Sequence, residues 1–231
     1  MKRSLLASTA LCAVFVTGAN AAPPAPIFNW AGFYIGGNVG GLWSTDSVEV
    51  LSPDYYTFDP GRTNTLSPSG IVGGVQAGYN YQISSFVFGV EGDLDFTSAK
   101  GSFNYPGFFG EEVANHSTSF PFFADLRARA GVAFDRFLPY VTGGVVFANL
   151  NNSLTDPSFP FSVNRGSSAT GWTLGAGAEY AIDNHWSVKG EYLYMQFPDV
   201  TASVLLFDEE TYSFKFKDSA QLARVGVNYR F

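Results

Sequence analysis

Residues 70–96 read GIVGGVQAGYNYQISSFVFGVEGDLDF, and this stretch decides the fold. Apolar residues recur at every second position on both sides of Ser84-Ser85. Such alternation indicates a β-strand with one apolar face, and two of them joined by two residues indicate an antiparallel hairpin. The opposite face is mostly small or polar, and after the turn it carries Glu91, Asp93 and Asp95. Each strand therefore separates an apolar environment from a polar one.

Six further stretches of the same kind flank this hairpin. They are residues 30–43, 122–134, 138–149, 169–182, 186–197 and 220–231. Each has about 11–14 residues, which is long enough to cross a bilayer as a tilted strand. In 138–149 both alternating positions are apolar, so the sequence leaves the facing of that strand open.

The connections between the eight stretches alternate in length. Three are short, at 84–85, 135–137 and 183–185, and four are long, at 44–69, 97–121, 150–168 and 198–219. A soluble β-sandwich usually spaces its turns evenly, whereas this alternation is typical of outer-membrane barrels. We predict an all-β fold, an eight-stranded antiparallel transmembrane β-barrel with short periplasmic turns and four long extracellular loops.

The composition excludes several other classes. The chain has 231 residues, with 13 Lys and Arg against 20 Asp and Glu, and its net charge of −7 argues against a nucleic-acid binder. No stretch of 18 apolar residues is present after the N-terminus, so helical membrane spans are not expected. The single cysteine, Cys12, excludes a disulfide framework.

The N-terminus has the features of an export signal. Lys2 and Arg3 precede an apolar stretch, and Ala19-Asn20-Ala21 is a small-x-small cleavage pattern. We expect a cleaved Sec signal peptide, a Pro-rich periplasmic lead-in and the transmembrane β-barrel at residues 1–21, 22–29 and 30–231. The alternative is an uncleaved anchor helix, for which the apolar stretch is short.

Aromatic residues cluster at the two ends of the predicted strands. At the periplasmic ends they are Trp30, Phe33, Tyr79, Tyr81, Phe86, Phe88, Phe134, Tyr140, Tyr180, Trp186, Tyr229 and Phe231. At the opposite ends they are Trp43, Phe96, Phe122, Trp172 and Tyr194. Rings at two levels are typical of the interfacial girdles of membrane barrels.

Five stretches carry a resemblance to a known family. They are NWAGFYIGGNVGG (29–41), FVFGVEGDLDF (86–96), LRARAGVAFDRFLPYVTGG (126–144), HWSVKGEYLY (185–194) and RVGVNYRF (224–231). Together they resemble the small OmpA-like outer-membrane barrels of alphaproteobacteria, also called outer-membrane immunogenic or porin-family proteins. The resemblance implies an eight-stranded barrel in a Gram-negative outer membrane, inserted by the barrel-assembly machinery.

The last strand resembles the assembly signal of outer-membrane proteins. That pattern has a polar residue, a glycine, an aromatic residue and a final hydrophobic residue, here Arg224, Gly226, Tyr229 and Phe231. The resemblance does not imply one activity, since relatives are linked to haemin binding, envelope integrity or adhesion.

Charged residues lie on the faces that we assign to the lumen. They are Glu91, Asp93, Asp95, Asp125, Arg127, Arg129, Glu179, Lys189, Glu191, Arg224 and Arg230. These six acids and five bases nearly balance, and an eight-stranded barrel is just wide enough for its side chains to fill. We predict an ion-pair network that plugs the lumen, with pairs between neighbouring strands. The alternative is a narrow pore gated by switching of these pairs.

No residue pattern indicates catalysis. Of the two histidines, His185 falls in a periplasmic turn and His116 in the second long loop. His116 is a weak candidate for a haem ligand, with Tyr55, Tyr56 or Tyr105 as alternatives, although a lone loop histidine is usually only solvated. No metal-binding spacing and no nucleophile–base set occurs. We therefore expect no cofactor, no metal and no enzyme activity.

The function that these observations favour is a structural role in envelope integrity. The expected partners are outer-membrane lipids and lipopolysaccharide, the barrel-assembly machinery during insertion, and a host or small-molecule ligand at the long Phe-rich loops. The first alternative is a surface receptor or adhesin, for example for haemin, and the second is the narrow gated pore.

Overall fold

The computed structural model describes residues 28–50, 63–106, 113–156, 161–205 and 211–231. These residues form strands joined by turns, and they contain no helix that is long and apolar enough to cross a membrane. The strands are β1 (Gly32–Val50), β2 (Thr63–Leu66), β3 (Ser69–Ile83), β4 (Phe86–Thr97), β5 (Lys100–Pro106), β6 (Val113–Val132), β7 (Phe137–Asp156), β8 (Phe161–Ala181), β9 (Trp186–Gln196), β10 (Val200–Leu205) and β11 (Thr211–Arg230). The expected signal peptide lies outside the described residues.

Eight of these strands close into an antiparallel barrel. In order around the wall they are β1, β3, β4, β6, β7, β8, β9 and β11, and β11 pairs again with β1. The short strands β2, β5 and β10 add to β1, β6 and β11 at the end away from the short turns. The eight-stranded antiparallel barrel predicted from the sequence is confirmed.

The register around the wall sets the width of the interior. Stepping from partner to partner, a path that leaves β4 at Val87 returns to β4 at Thr97, ten residues further along. This stagger means that the strands are tilted against the barrel axis, and eight such strands enclose a space just wide enough for side chains. The interior therefore has no room for a broad aqueous channel.

Short turns join the strands at one end, which we call the turn end; the opposite end is the loop end. Ser84 and Asp135 adopt left-handed backbone conformations there, with φ of 55° and 54°. In the turn before β9, the backbone N–H groups of Trp186 and His185 each donate to a carboxylate oxygen of Asp183 at 2.8 Å. These bonds stabilise the charged form and lower the pKa of Asp183 below its usual value.

At the loop end the strands run further than the sequence pattern indicated. Much of the ranges expected to be loops is strand, and β6 and β7 remain paired as far as Asn115 and Thr155, with one irregularity between Ser119 and Phe122. Ser, Thr and Asn are frequent there, and apolar alternation is absent. Pairing depends on backbone hydrogen bonds, whereas apolar alternation reports contact with lipid. The sequence signal therefore ends before the strands do.

Side chains alternate between an apolar outer wall and a closed interior. Large apolar residues on the outer wall are well exposed, including Val75, Leu126 and Leu174. In β7, whose facing the sequence left open, Tyr140 and Val146 point inward and Val141 points outward.

Most of the aromatic residues assigned to the two girdles lie on the outer wall. Two of these assignments are wrong, because Trp30 and Tyr140 are buried. Tyr140 belongs to the inward face of β7, and Trp30 precedes β1 and folds into the mouth of the barrel at the turn end. Neither ring can therefore contribute to the girdle at that end.

Candidate functional site

The centre of the barrel interior is a group of ion pairs around Arg127. β4 and β6 place Glu91 directly opposite Arg127, and both side chains point inward. The guanidinium nitrogens of Arg127 lie 2.6 Å from carboxylate oxygens of Glu91, Asp93 and Asp125. Its Nη1 reaches Glu191 of β9 at 3.0 Å. Because the Arg127 side chain has no solvent exposure, these four carboxylates replace its hydration.

A second group of ion pairs forms around Arg224 of β11. Arg224 is the register partner of Glu191, and its Nη2 lies 2.7 Å from Glu191 Oε2. The same guanidinium reaches Asp93 and Asp95 at 2.8 Å each. Asp93 and Glu191 each contact both Arg127 and Arg224, so the two groups form one network that joins β4, β6, β9 and β11.

The network continues toward the turn end through Arg129 and Glu179. Arg129 Nη2 donates to one oxygen of Glu179 at 2.7 Å. The other oxygen accepts hydrogen bonds from Ser187 at 2.6 Å and from Asn228 at 2.9 Å. Donors from three different strands therefore satisfy the buried Glu179 carboxylate.

Ten of the eleven residues expected in the lumen network take part in these ion pairs, and all eleven are buried. Arg230 is the exception, and its inclusion in the ion-pair network is wrong for the described part of the chain. It occupies the last inward position of β11, below the network. There its Nη1 donates to the Asn29 carbonyl at 2.8 Å, and its guanidinium lies 4.5 Å from the Phe28 ring centre and 4.9 Å from that of Trp30.

Two tyrosines belong to the network, and the sequence-based assignment missed both. Tyr34 donates its hydroxyl to Glu91 Oε2 at 2.7 Å, and Tyr140 donates to Glu191 Oε1 at 3.0 Å. The Arg129 guanidinium lies between their rings, 5.4 Å from the centre of Tyr34 and 4.5 Å from that of Tyr140. Each phenol thus supplies one donor to a carboxylate and one ring face to a cation.

One of the two tyrosines could have been found from the sequence. Tyr34 lies at every-second-residue spacing with Gly36, Asn38 and Gly40, so it is on the small and polar face of its strand. The facing of Tyr140 could not be found in this way, because both faces of β7 carry apolar residues. Gly177 opposes Tyr140 in the register, and a Cβ at Gly177 would come within 2.7 Å of the Tyr140 hydroxyl. The space for this ring therefore depends on a glycine in the neighbouring strand.

Apolar side chains close the interior on both sides of the ion pairs. The loop-end layer consists of Leu42, Val72, Ala99, Phe123, Val146, Ala148, Leu193, Met195, Phe197, Ala220 and Leu222. The turn-end layer consists of Phe28, Trp30, Val87, Ala133, Leu138 and Ala181. The ion pairs between them are screened from water, which strengthens their attraction and raises the cost of leaving any of them unpaired. The sequence pattern did not indicate these layers.

The histidines lie outside this network. The backbone of His116 is in β6, where its register partners are Phe103 and Leu154, so it lies in a strand and not in a loop. Tyr105 is in β5, and the other haem candidates, Tyr55 and Tyr56, lie outside the described residues. His185 stacks on the Tyr229 ring at 5.6 Å in a turn. Within the described ranges, no group of three or more His, Cys, Asp or Glu side chains is placed to hold a metal ion.

The residues of the expected assembly signal lie on both sides of the wall, from Arg224 in the ion-paired centre to Phe231 at the turn end. Gly226 is buried on the inward face, and Phe231 is exposed on the outer wall. The Tyr229 ring packs edge-on against Trp186 at 5.1 Å and Phe231 at 5.3 Å. The Phe231 ring also lies 5.8 Å from Phe33 of β1, so the aromatic girdle continues across the seam where the first and last strands meet.

Comparison with known proteins gives relatives of nearly the same length. The chain is 36% identical over 253 residues to the 31 kDa outer-membrane immunogenic protein of Brucella melitensis biotype 1, with all of both chains covered. It is 32% identical to the 25 kDa outer-membrane immunogenic protein of Brucella abortus biovar 1, covering 90% of this chain and 82% of that protein. The outer membrane protein OprG from Pseudomonas aeruginosa has a similar fold, with a TM-score of 0.54 at 16% identity, over 87% of this chain and 96% of that one.

The closed eight-stranded wall, its apolar outer surface and these relatives define an outer-membrane β-barrel of Gram-negative bacteria. The model of the outer membrane protein beta-barrel domain family matches residues 9–231, and the chain belongs to that family. In this class the short turns face the periplasm and the longer connections face the exterior. The turn end is therefore the periplasmic end.

Proposed function

We propose that this protein is a closed structural barrel that supports the integrity of the outer membrane. The observation that carries the proposal is the filling of the interior at three levels, with ion pairs between two apolar layers. None of the ten ion-paired residues is more than 5% exposed. A barrel filled in this way provides a rigid apolar wall to the lipid and no path for solutes.

The energetics of the interior favour this role over a gated pore. Removing one partner of a buried ion pair costs about 3–5 kcal/mol. Arg127 has four carboxylate partners within 3.0 Å, and two of these carboxylates also lie within 3.0 Å of Arg224. A conducting state would have to separate several such contacts together and also part an apolar layer. Thermal fluctuations alone would populate such a state rarely.

Conductance of the purified barrel in planar bilayers tests the closed state. We expect no current steps at either polarity, with an open porin added at the end of each recording to verify the bilayer. Regular current steps from the wild-type barrel would contradict the proposal and support the gated pore.

The envelope role is tested by deleting the gene: the strain should become sensitive to detergent, and the wild-type gene should restore resistance.

A second candidate function is surface recognition at the loop end. The pairing of β6 and β7 continues to Asn115 and Thr155, beyond the loop-end layer, so these strands carry their connection away from the barrel. The curated relatives are named immunogenic. The haemin form of this candidate is tested by titrating haemin into the folded protein and its His116→Ala variant. An unchanged haemin spectrum with the wild type would exclude it.

The partners that we propose follow from the outer wall and the last strand. The exposed apolar band would contact membrane lipids and the acyl chains of lipopolysaccharide. The barrel-assembly machinery would recognise the C-terminal pattern during insertion. That pattern consists of Arg224, Gly226, Tyr229 and Phe231. We propose no catalytic role, because within the described residues the carboxylates of the interior are engaged with cations, hydroxyls or amides and are closed off from substrates.

A further inference from the structure

The segment before β1 is folded into the periplasmic mouth without being part of the wall. Residues 28–31 belong to no strand. Trp30 is nevertheless completely buried and Phe28 is 6% exposed, and the two rings pack edge to face at 5.0 Å. We call residues 28–31 the mouth segment. It contributes the only aromatic rings of the turn-end layer within the described residues.

Side-chain and backbone contacts tie the mouth segment to two of the periplasmic turns. The backbone N–H of Trp30 donates to Gln82 Oε1 at 2.6 Å, beside the turn between β3 and β4. The indole Nε1 donates at 3.0 Å to the carbonyl of Asp135, the residue with left-handed backbone in the turn between β6 and β7. The indole ring therefore occupies a defined position, and its one polar atom, Nε1, has a hydrogen-bond acceptor.

The last strand holds the mouth segment from the other side. Arg230 donates to the Asn29 carbonyl and covers both the Phe28 and Trp30 rings. Arg136 approaches the Phe28 ring at 5.7 Å and donates to the Ile182 carbonyl in the third turn at 2.7 Å. The mouth segment thus contacts two of the three turns and the end of β11 directly, is linked to the third turn through Arg136, and covers the opening that they surround.

The two ends of the interior are closed by different kinds of structure. In the loop-end layer, every member except Ala99 and Phe197 is a strand residue, so that layer cannot leave without breaking the wall. In the turn-end layer, the two largest members belong to the mouth segment. Withdrawing this segment breaks side-chain contacts and a few hydrogen bonds, but no strand pairing.

We propose that the mouth segment is a detachable cap, and that water and small solutes reach the ion-paired interior only from the periplasm, when the cap withdraws. The withdrawn state exposes Arg230 first, since it contacts the cap, and then Ser187 and Glu179, since Ser187 is the register partner of Ala181 in the turn-end layer and donates to Glu179. The extracellular side stays closed in both states. This inference rests on the interior being closed at rest, and its test separates the two claims.

Two buried serines provide matched reporters for the test. Ser187 is the register partner of Ala181 in the turn-end layer, and Ser44 is the register partner of Ala220 in the loop-end layer. They are 2% and 3% exposed. In a Cys12→Ser background, each serine is replaced by cysteine and the folded barrel in lipid is treated with a small water-soluble thiol reagent. The labelling rate is measured with and without Trp30→Ala.

We expect slow labelling of both cysteines when Trp30 is present. With Trp30→Ala, labelling of Ser187→Cys should rise at least tenfold, while labelling of Ser44→Cys should stay slow. An unchanged rate at Ser187→Cys in a barrel with normal heat-modifiable mobility would overturn the cap. A parallel rise at both positions would also overturn it, since it would indicate general loosening.

The outcomes distinguish the cap from the proposed function. Fast labelling at both positions with Trp30 intact would mean that the interior is open at rest, which contradicts the closed barrel itself. Slow labelling with Trp30 intact and no effect of its removal contradicts the cap alone. If Trp30→Ala does not fold, Phe28→Ala gives the same test, because it removes the ring that packs on Trp30 but leaves both hydrogen bonds of Trp30 in place.

Discussion

The Nζ atom of Lys189 lies 2.8 Å from Oε1 of Glu91, although the backbone partner of Lys189 is Glu179 on the adjacent strand. β9 and β4 stand on opposite sides of the barrel, with three strands between them along either path. The contact therefore crosses the lumen, and it depends on the curvature of the wall that brings β9 and β4 to face each other. It links closure of the barrel directly to neutralisation of a buried charge.

Replacement of Arg127 by alanine should destabilise the barrel strongly. The variant leaves four buried carboxylates without their shared cation, and the expected loss in the free energy of unfolding is about 3–5 kcal/mol. Urea titration followed by heat-modifiable gel mobility measures it. Lys215→Ala is the matched control, because Lys215 pairs with Asp199 at 2.9 Å on a partly exposed surface, where a pair contributes about 1 kcal/mol or less. Equal stability of the two variants would contradict the network.

Replacing the Glu91 and the Asp125 carboxylates by isosteric amides should lower the free energy of unfolding by different amounts. Glu91 uses both oxygens, with Arg127 and Lys189 on one and Tyr34 on the other. Asp125 uses one oxygen for Arg127, and its Oδ2 has no partner in the described structure. We expect Glu91→Gln to cost about 3 kcal/mol or more, and Asp125→Asn about 1 kcal/mol or less because the amide oxygen can still accept from Arg127.

The charge balance of the network gives a second reason for this difference. Six carboxylates face four cations once Arg230 is set apart, so the loss of the Asp125 charge brings the interior closer to neutral. A larger loss for Asp125→Asn than for Glu91→Gln in the same unfolding assay would show that partner number does not decide stability here.

The Asp183 turn should make a pH-dependent contribution at the periplasmic end. Its pKa is lowered by hydrogen bonds from the backbone N–H groups of Trp186 and His185. A lowered folded pKa means that the stabilisation is present above the unfolded value of about 3.9 and is lost as the pH falls through the folded value. An NMR titration of the Asp183 carboxyl should therefore give a midpoint below about 3.9. A midpoint at or above that value would contradict the turn geometry.

Removal of the terminal ring should impair insertion more than stability. Phe231 and Phe33 are both exposed on the outer wall in the same girdle, so Phe231→Ala and Phe33→Ala should change the unfolding free energy of the refolded barrel by similar amounts. If the C-terminal pattern is recognised during assembly, the amount of folded protein in the outer membrane of cells should fall several-fold. Phe33→Ala is the control, since Phe33 lies 5.8 Å from Phe231 in the same girdle but outside the pattern. Equal membrane levels for the two variants would contradict a role in assembly.

The strands could be predicted wherever apolar, lipid-facing residues alternate with small or polar inward-facing ones. The hairpin of β3 and β4 alternates strictly, and its turn and both faces follow from that alternation. β7 carries apolar residues on both faces, because it supplies Val146 and Ala148 to the loop-end layer as well as Val141 and Val145 to the outer wall. A pattern with period two cannot separate these two apolar environments.

The candidate site could be predicted as a set of positions but not as a set of contacts. Inward charged residues are recognisable from their strand face. Their partners are not, as Lys189 and Arg230 show: one reaches across the lumen, and the other lies below the network against aromatic rings. The assignment of Trp30 to the girdle rests on its position at the end of a strand. Its hydrogen bonds to Gln82 and Asp135, which hold it inside the mouth, cannot be found from the sequence.

By itself, the sequence of this protein determined the alternating part of each strand, the inward and outward faces of the strands other than β7, and the outer membrane as the location of such a barrel. These are local properties, since the alternation of one strand needs no knowledge of another. The tertiary structure decided which charges pair, where the interior is apolar and what closes the periplasmic mouth. Those features depend on the ten-residue stagger accumulated around eight strands, which brings residues from opposite walls to the same level.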